Sequence, residues 1–193
     1  MSIIKETKVQ TEQRQYKEGV QVIDTIQFFR NERMNANGMY IETILDFDDV
    51  FREEVHDYVQ WIFPIDSVSA NEPRAPIVNN MMIYAFMTID KLKEMQIKAF
   101  IFMLDHFGLV YEADEIEKGP AFQECKHRLA HDNHNLVRIT RILRSLYLLD
   151  QKCLAKKFFS FLSELRLNDI FIMDVTYYHW ANAVMDVDGC SYD

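Results

Sequence analysis

An all-α fold follows from three features of this sequence. Apolar residues recur at intervals of three and four through most of the chain, the spacing that lines one face of a helix. No segment alternates apolar and polar residues at a period of two, as a half-buried strand would. Glycine and proline are scarce, at 5 and 4 among 193 residues, whereas a β-sandwich or barrel needs many tight turns. Hydrophobic residues make up 49% and charged residues 26% of the chain. That balance supports a single compact domain of about eight helices, burying roughly 70% of the surface its unfolded chain exposes.

The elements can be placed in order. Residues 1–15 are polar and charged and read as a loose leader, followed by a helical domain over 16–186. Tyr16, Val20, Ile23 and Ile26 form one stripe, extended by Phe28 and Phe29 and stopped by the Asn37-Gly38 turn signal. A second helix starts near Met39 and carries Ile41, Ile44 and Leu45. Asp48 or Asp49 can cap a third, running through Val55, Tyr58, Val59 and Ile62 to a stop before Pro64. Residues 64–78 hold Pro64, Pro73 and Pro76 and form the longest loop. Loops of that length inside compact domains are often functional.

A helix over 79–87 follows, then one capped by Thr88, whose stripe Ile89, Leu92, Met95, Ala99 and Phe102 ends at Gly108. The acidic stretch 112–117 reads as a solvated connection. Gly119-Pro120 opens the next helix, with proline in the first turn that tolerates it. Leu136, Ile139, Leu143 and Leu146 mark another. Asp150 caps one carrying Leu154, Phe158 and Leu165, and Asn168 or Asp169 starts the last, with Met173, Tyr177 and Trp180. Residues 187–193 read as a frayed tail.

Four stretches stand out against this background. They are Phe28-Phe29-Arg30-Asn31-Glu32 with Asn37-Gly38 and Ile41, then His56-Asp57-Tyr58-Val59-Gln60-Trp61-Ile62-Phe63-Pro64, then Asn71 and Ala75, and finally the run from His134 to Leu146. The last reads H-N-L-V-R-I-T-R-I-L-R-S-L. In this order and spacing, over residues 22 to 184, the chain resembles the conserved N-terminal domain of the opioid growth factor receptor family. The resemblance implies a helical domain. The vertebrate member of that family is a growth-regulating receptor for an enkephalin peptide, associated with the nucleus. The repeats that follow the domain in some vertebrate members are absent from this sequence, so what the resemblance implies is the fold rather than the hormone.

Charge and cysteine usage narrow the function classes. A net charge of −9 argues against a chain that coats nucleic acid or anionic membrane with its whole surface. Cys125, Cys153 and Cys190 are odd in number and far apart, which suits reduced thiols better than a disulfide framework. The N-terminal residues lack the apolar core of a signal peptide, and no window approaches the ~20 apolar residues of a membrane span. A cytoplasmic or nuclear location is expected.

Two groups of residues compete as candidate binding sites. A helix through His56 and Trp61 places His56 beside Gln60 and Asp57 beside Trp61, at i and i+4. One reading is a groove walled by Tyr58 and Trp61, with His56 or Gln60 fixing polar ligand atoms and Asn71 in the loop alongside. The other is a core helix whose indole N–H and phenol O–H find internal partners. The second group is basic. Residues 121–157 carry 8 basic and 3 acidic side chains, while residues 1–120 carry 12 and 21. Arg138, Arg141 and Arg144 recur every three residues and can dock phosphate or an acidic partner, or else pair with the chain's own carboxylates.

Other chemistry has weaker signals. His127 and His131, with His134 nearby, resemble a zinc face, but the glutamate of H-E-x-x-H is missing. Asp186-Val187-Asp188-Gly189 fails the calcium-loop pattern because glycine comes too early. No nucleophile elbow, P-loop or dinucleotide glycine pattern is present. No catalytic residue, cofactor or metal is assigned. The expected function is a binding module for a peptide or protein segment, through His56, Tyr58, Gln60, Trp61, Asn71, His134, Arg138 and Arg141. The alternatives are phosphate or nucleic-acid recognition through 121–157, or an enzyme of unrecognised type.

Overall fold

The computed structural model describes residues 8–130 and 132–185. Its elements run α1 (Lys8–Phe29), α2 (Ile41–Leu45), α3 (Asp49–Glu54), α4 (Tyr58–Ile62), α5 (Asn80–Thr88) and α6 (Asp90–His106). A hairpin of β1 (Leu109–Glu112) and β2 (Glu115–Lys118) follows, then α7 (Phe122–Cys125) and a 3-10 turn (Lys126–Leu129). The chain closes with α8 (Asn135–Leu148), α9 (Lys152–Asn168) and α10 (Asp174–Ala183). The all-α expectation holds, with one two-stranded ribbon as its exception among the described residues. No helix in them is long and apolar enough to cross a membrane.

One continuous core joins these elements, from Val22 of α1 to Val184 after α10. At its centre α6 buries Leu92, Met95, Ala99, Phe100, Met103 and Leu104, the stripe its sequence spacing demands. A buried hydrogen bond from Gln96 Nε2 to Ser145 Oγ, 3.3 Å, ties α6 to α8. α8 packs in turn on α9 and α10. There the indole of Trp180 is fully enclosed and donates to the Leu136 carbonyl at 3.1 Å.

Several local expectations change. The polar stretch read as a leader is helical from Lys8 onward, inside a 22-residue α1. Along that helix Tyr16, Val20 and Ile23 face outward, whereas Val22, Phe28 and Phe29 enter the core. The helix expected from Asp48 to Ile62 is two helices, broken where Val55 turns extended (φ −89°, ψ 125°). Asp48 caps α3 as its spacing suggests, accepting from the Phe51 N–H at 2.8 Å. Thr88 ends α5 rather than capping α6, and its hydroxyl donates back to the Tyr84 carbonyl. Asp150 sits one residue before the α9 cap Gln151, with φ 64°. The last helix begins at Asp174, because Asn168 still belongs to α9.

The hairpin replaces the solvated connection expected over 112–117. Leu109 pairs with Lys118 and Glu112 with Glu115, leaving Ala113 and Asp114 as a two-residue turn. Both turn residues have positive φ, 50° and 66°, as the tight hairpin turn requires. Ala-Asp is not the Asn-Gly signal that announces such a turn, which is why it reads as coil. The run 187–193, the calcium-like residues from Asp186 and His131 lie outside the described residues.

Gly108 ends α6 in the left-handed region, at φ 71°. A Cβ there would lie 2.8 Å from Phe122 Cα and 2.9 Å from the Ala121 carbonyl oxygen, both backbone atoms. Gly108→Ala is therefore expected to lower unfolding free energy by more than about 2 kcal/mol in chemical denaturation. Gly19, mid-helix with nothing within 4 Å of an added Cβ, gives the opposite sign. Gly19→Ala is expected to stabilise by about 0.5–1 kcal/mol through helix propensity alone.

Candidate functional site

The aromatic run and the arginine run meet in space. α4 has only five residues, too few to be helical on its own, and all five are buried. Tyr58 is fully enclosed between Phe47 and Phe102, and burial raises its phenol pKa to about 12. Its hydroxyl reaches the Arg52 carbonyl at 3.3 Å. Arg138, buried on α8, donates to the carbonyls of Arg52 (2.8 Å) and Val55 (3.0 Å). In an unbroken helix those two oxygens would accept from His56 and Val59 N–H groups. The guanidinium thus satisfies the break between α3 and α4. One turn further along α8, Arg141 donates to the Phe63 carbonyl at 2.9 Å, at the C-cap of α4. Burial draws the Arg141 pKa down to about 10.

The remaining sequence candidates fall on different sides of this lock. His56 is exposed and outside α4, so it does not stand one turn from Gln60. The Gln60 side chain is buried, and with its amide oriented nitrogen-inward it donates to the carbonyls of His56 and Asp57 at 3.0 Å, the orientation that satisfies both its polar atoms. Asp57 accepts from Asn37 Nδ2 at 2.8 Å instead of facing Trp61 along a helix. Asn71 is exposed on the loop. His134 stands at the N-terminal boundary of α8 without a capping hydrogen bond, its ring 4.8 Å from that of His56. The eight residues do not line one groove.

Most of the basic segment is engaged internally. Arg128 bonds to Asp49, and its Nη1 reaches the His106 carbonyl at 2.7 Å. Arg144 pairs with Asp66, and Lys157 pairs with Asp114. His127 Nδ1 lies 2.7 Å from the Glu124 carbonyl. Around Arg128 lies a polar cluster that sequence reasoning missed. His106, fully buried on α6, has Nδ1 3.0 Å from Asp49 and Nε2 3.0 Å from Glu53. Burial lowers its pKa, and a neutral ring offers one N–H between two carboxylates. The cluster supplies other donors, since Asn135 Nδ2 lies 3.3 Å from Glu53 and Arg128 serves Asp49. These charges knit α3, α6 and α8 together.

Trp61 has a different environment from Tyr58. Its ring borders a cleft of about 350 Å³, between α1, the turn over residues 33–36, and Arg74 and Pro76 of the long loop. Phe28, Val20 and Met34 give it apolar walls, and Gln21, Asp24 and Thr25 polar ones. The loop wall is rigidly built. Its ends are joined by a bridge between Ile65 and Ile77. Inside it, Arg74 Nε donates to buried Glu72 at 2.9 Å, and Asn37 Nδ2 donates to the same carboxylate at 3.2 Å.

Two buried donors bordering this cleft have no partner, Trp61 Nε1 and Asn35 Nδ2. The Asn35 amide cannot simply turn over, because its oxygen accepts from the Asn37 and Met39 N–H groups at 2.9 and 3.0 Å. Each unmet buried donor costs about 1–3 kcal/mol, which makes the pair a pointer to function. The α1 wall had a legible signal: positions 17, 20, 21, 24, 25 and 28 share one helical face. Nothing in the sequence marked Asn35 as part of the site.

Fold and site together define a helical domain with a polar-lined cleft between its first helix and a long ordered loop. Residues 19–179 match the family model described as the opioid growth factor receptor (OGFr) conserved region, and the chain belongs to that family. It is 33% identical to the opioid growth factor receptor of Mus musculus over 129 residues, 63% of this chain and 20% of that protein. The human receptor gives 32% over 129 residues, 63% and 19%. Opioid growth factor receptor-like protein 1 of Mus musculus gives 29% over 136 residues, 64% and 28%. The chain thus spans between about a fifth and three-tenths of these relatives' length. No solved structure gives a significant match.

The lock predicts a stability role for Arg138. Arg138→Ala strands two buried carbonyls and is expected to cost about 3 kcal/mol in chemical denaturation. A loss below about 0.5 kcal/mol, typical of a free surface arginine, would contradict it. Glu72 gives a pH prediction. Hydrogen bonds from Arg74 hold its carboxyl at about 2, below the usual 4.5. A depressed carboxylate contributes stability that is complete above its unfolded pKa and lost as pH falls toward its folded one. Unfolding free energy should therefore fall between pH 4.5 and about 2, and Glu72→Gln should flatten that decline.

Proposed function

We propose that this chain is a non-catalytic binding module that takes a peptide or protein segment in the cleft beside Trp61. One observation carries the reading: a cleft of about 350 Å³ lined by two residues, Trp61 and Asn35, whose buried side-chain donors have no acceptor. An extended peptide backbone offers carbonyl oxygens at regular intervals, the acceptors such donors need. The apolar walls suit a side chain carried between them. The family supports the reading, because relatives named opioid growth factor receptor are receptors for a growth factor by name. Of the residues singled out in the sequence, Trp61 and the loop after Pro64 belong to this site, while Arg138 and Arg141 support it from behind as parts of the lock.

Phosphate or nucleic-acid binding through residues 121–157 is the weaker reading, since Arg128, Arg138, Arg141, Arg144 and Lys157 are held by internal acceptors. The test is selection of displayed random peptides on the intact chain. Enriched sequences should bind the native protein and lose at least about tenfold in affinity with Ala36→Trp. That substitution puts an indole into the cleft from an exposed turn position. An unchanged thermal midpoint shows that the fold survives. Peptides that bind both proteins equally would place the binding surface elsewhere and remove the proposal.

A further inference from the structure

We infer that the cleft selects a carboxylate, so that the segment it holds carries an acidic group beside an apolar side chain. The inference rests on the peptide-binding reading and names the chemistry it selects. Three features of the lining point the same way. The first is charge: Lys17, Arg33 and Arg74 line the cleft against a single lining acid, Asp24, on a chain whose net charge is −9. Arg33 is 3.3 Å from Asp24 and Arg74 is held by Glu72, but Lys17 has no ion-pair partner among the described residues. One cation is therefore left over at the mouth.

The second feature is the donors. Trp61 Nε1 and Asn35 Nδ2 belong to side chains that are 7% and 8% exposed, and neither has an acceptor. A carboxylate is acceptor-only, with about four lone-pair sites, and can serve more than one donor at once. Hydrogen bonds to a charged acceptor are about twice as strong as neutral ones. The third is the wall of Phe28, Val20 and Met34, which accepts an apolar group next to the charge.

The carboxylate can come from an acidic side chain or from a chain end, and three small probes separate these sources from a neutral ligand. N-acetyl-phenylalanine carries a terminal carboxylate. N-acetyl-aspartyl-phenylalaninamide carries a side-chain one, and N-acetyl-phenylalaninamide carries neither. The readout is the indole N–H resonance of Trp61 in the nitrogen-15-labelled full chain. There are 2 tryptophans, and Trp180 is an internal control because its N–H is already bonded to Leu136.

At least one acidic probe is expected to move the Trp61 resonance and leave that of Trp180 in place. The affinity should fall with added salt and weaken about three- to fivefold with Lys17→Glu. The responding probe identifies the source of the carboxylate. A neutral amide that binds as well as both acids, or no response at Trp61 to any probe, would overturn the inference. Peptides selected on the chain and lost with Ala36→Trp would still stand in that case, so failure of the carboxylate and failure of the cleft are told apart.

Discussion

Two arginines on one face of α8 hold the rest of the molecule in register. Arg138 and Arg141 point into the break after α3 and the end of α4, where they accept the role of the missing helical N–H groups. Helix ends leave carbonyls without partners, and burying them unmet is costly. Here the cost is met from another helix some eighty residues along the chain. The guanidinium can do this because it offers several donors in a planar fork. The same contact fixes where α4 lies, and α4 carries Tyr58 inward to the core and Trp61 to the cleft wall.

From that lock the other layers follow. Arg52, at the end of α3, reaches across to the Phe102 carbonyl and to Asp105 on α6. His106 and Arg128 tie the start of α3 to the end of α6. On the opposite side, Asn37 links the turn after α1 to Asp57 and to Glu72 of the long loop. Polar contacts thus clamp both sides of the short-helix region, and the apolar core behind it is continuous. The cleft thus sets a long helix, α1, against a loop and turn that polar side chains hold in place.

How much of this was readable in advance depends on the range of the interaction concerned. The helices α6, α8 and α9 were legible, since Leu92, Ile139 and Phe158 sit on stripes whose period is a property of the local backbone. The Asp48 cap was legible for the same reason. The break at Val55 was not, because the carbonyls it frees find their donor in Arg138, some eighty residues away. The hairpin was hidden by a turn made of Ala113 and Asp114, whose positive φ is held by strand pairing instead of by glycine. Trp61 lines a cleft with residues of α1 and with Asn35, a grouping that joins segments remote in sequence and does not include His56, Arg138 or Arg141.

The four motif stretches and the helical periodicity by themselves determined the family and the all-α class, because both are written in local order and spacing. Tertiary structure alone decided which polar groups find a partner inside the fold. Arg138, Arg141 and Gln60 looked available as a row of donors, yet each is consumed by a backbone carbonyl brought to it by folding. Trp61 and Asn35 are left with donors unspent, since the walls that bury them supply no acceptor. Whether a donor is satisfied depends on what lies within about 3 Å of it, and that distance is set between segments remote in sequence.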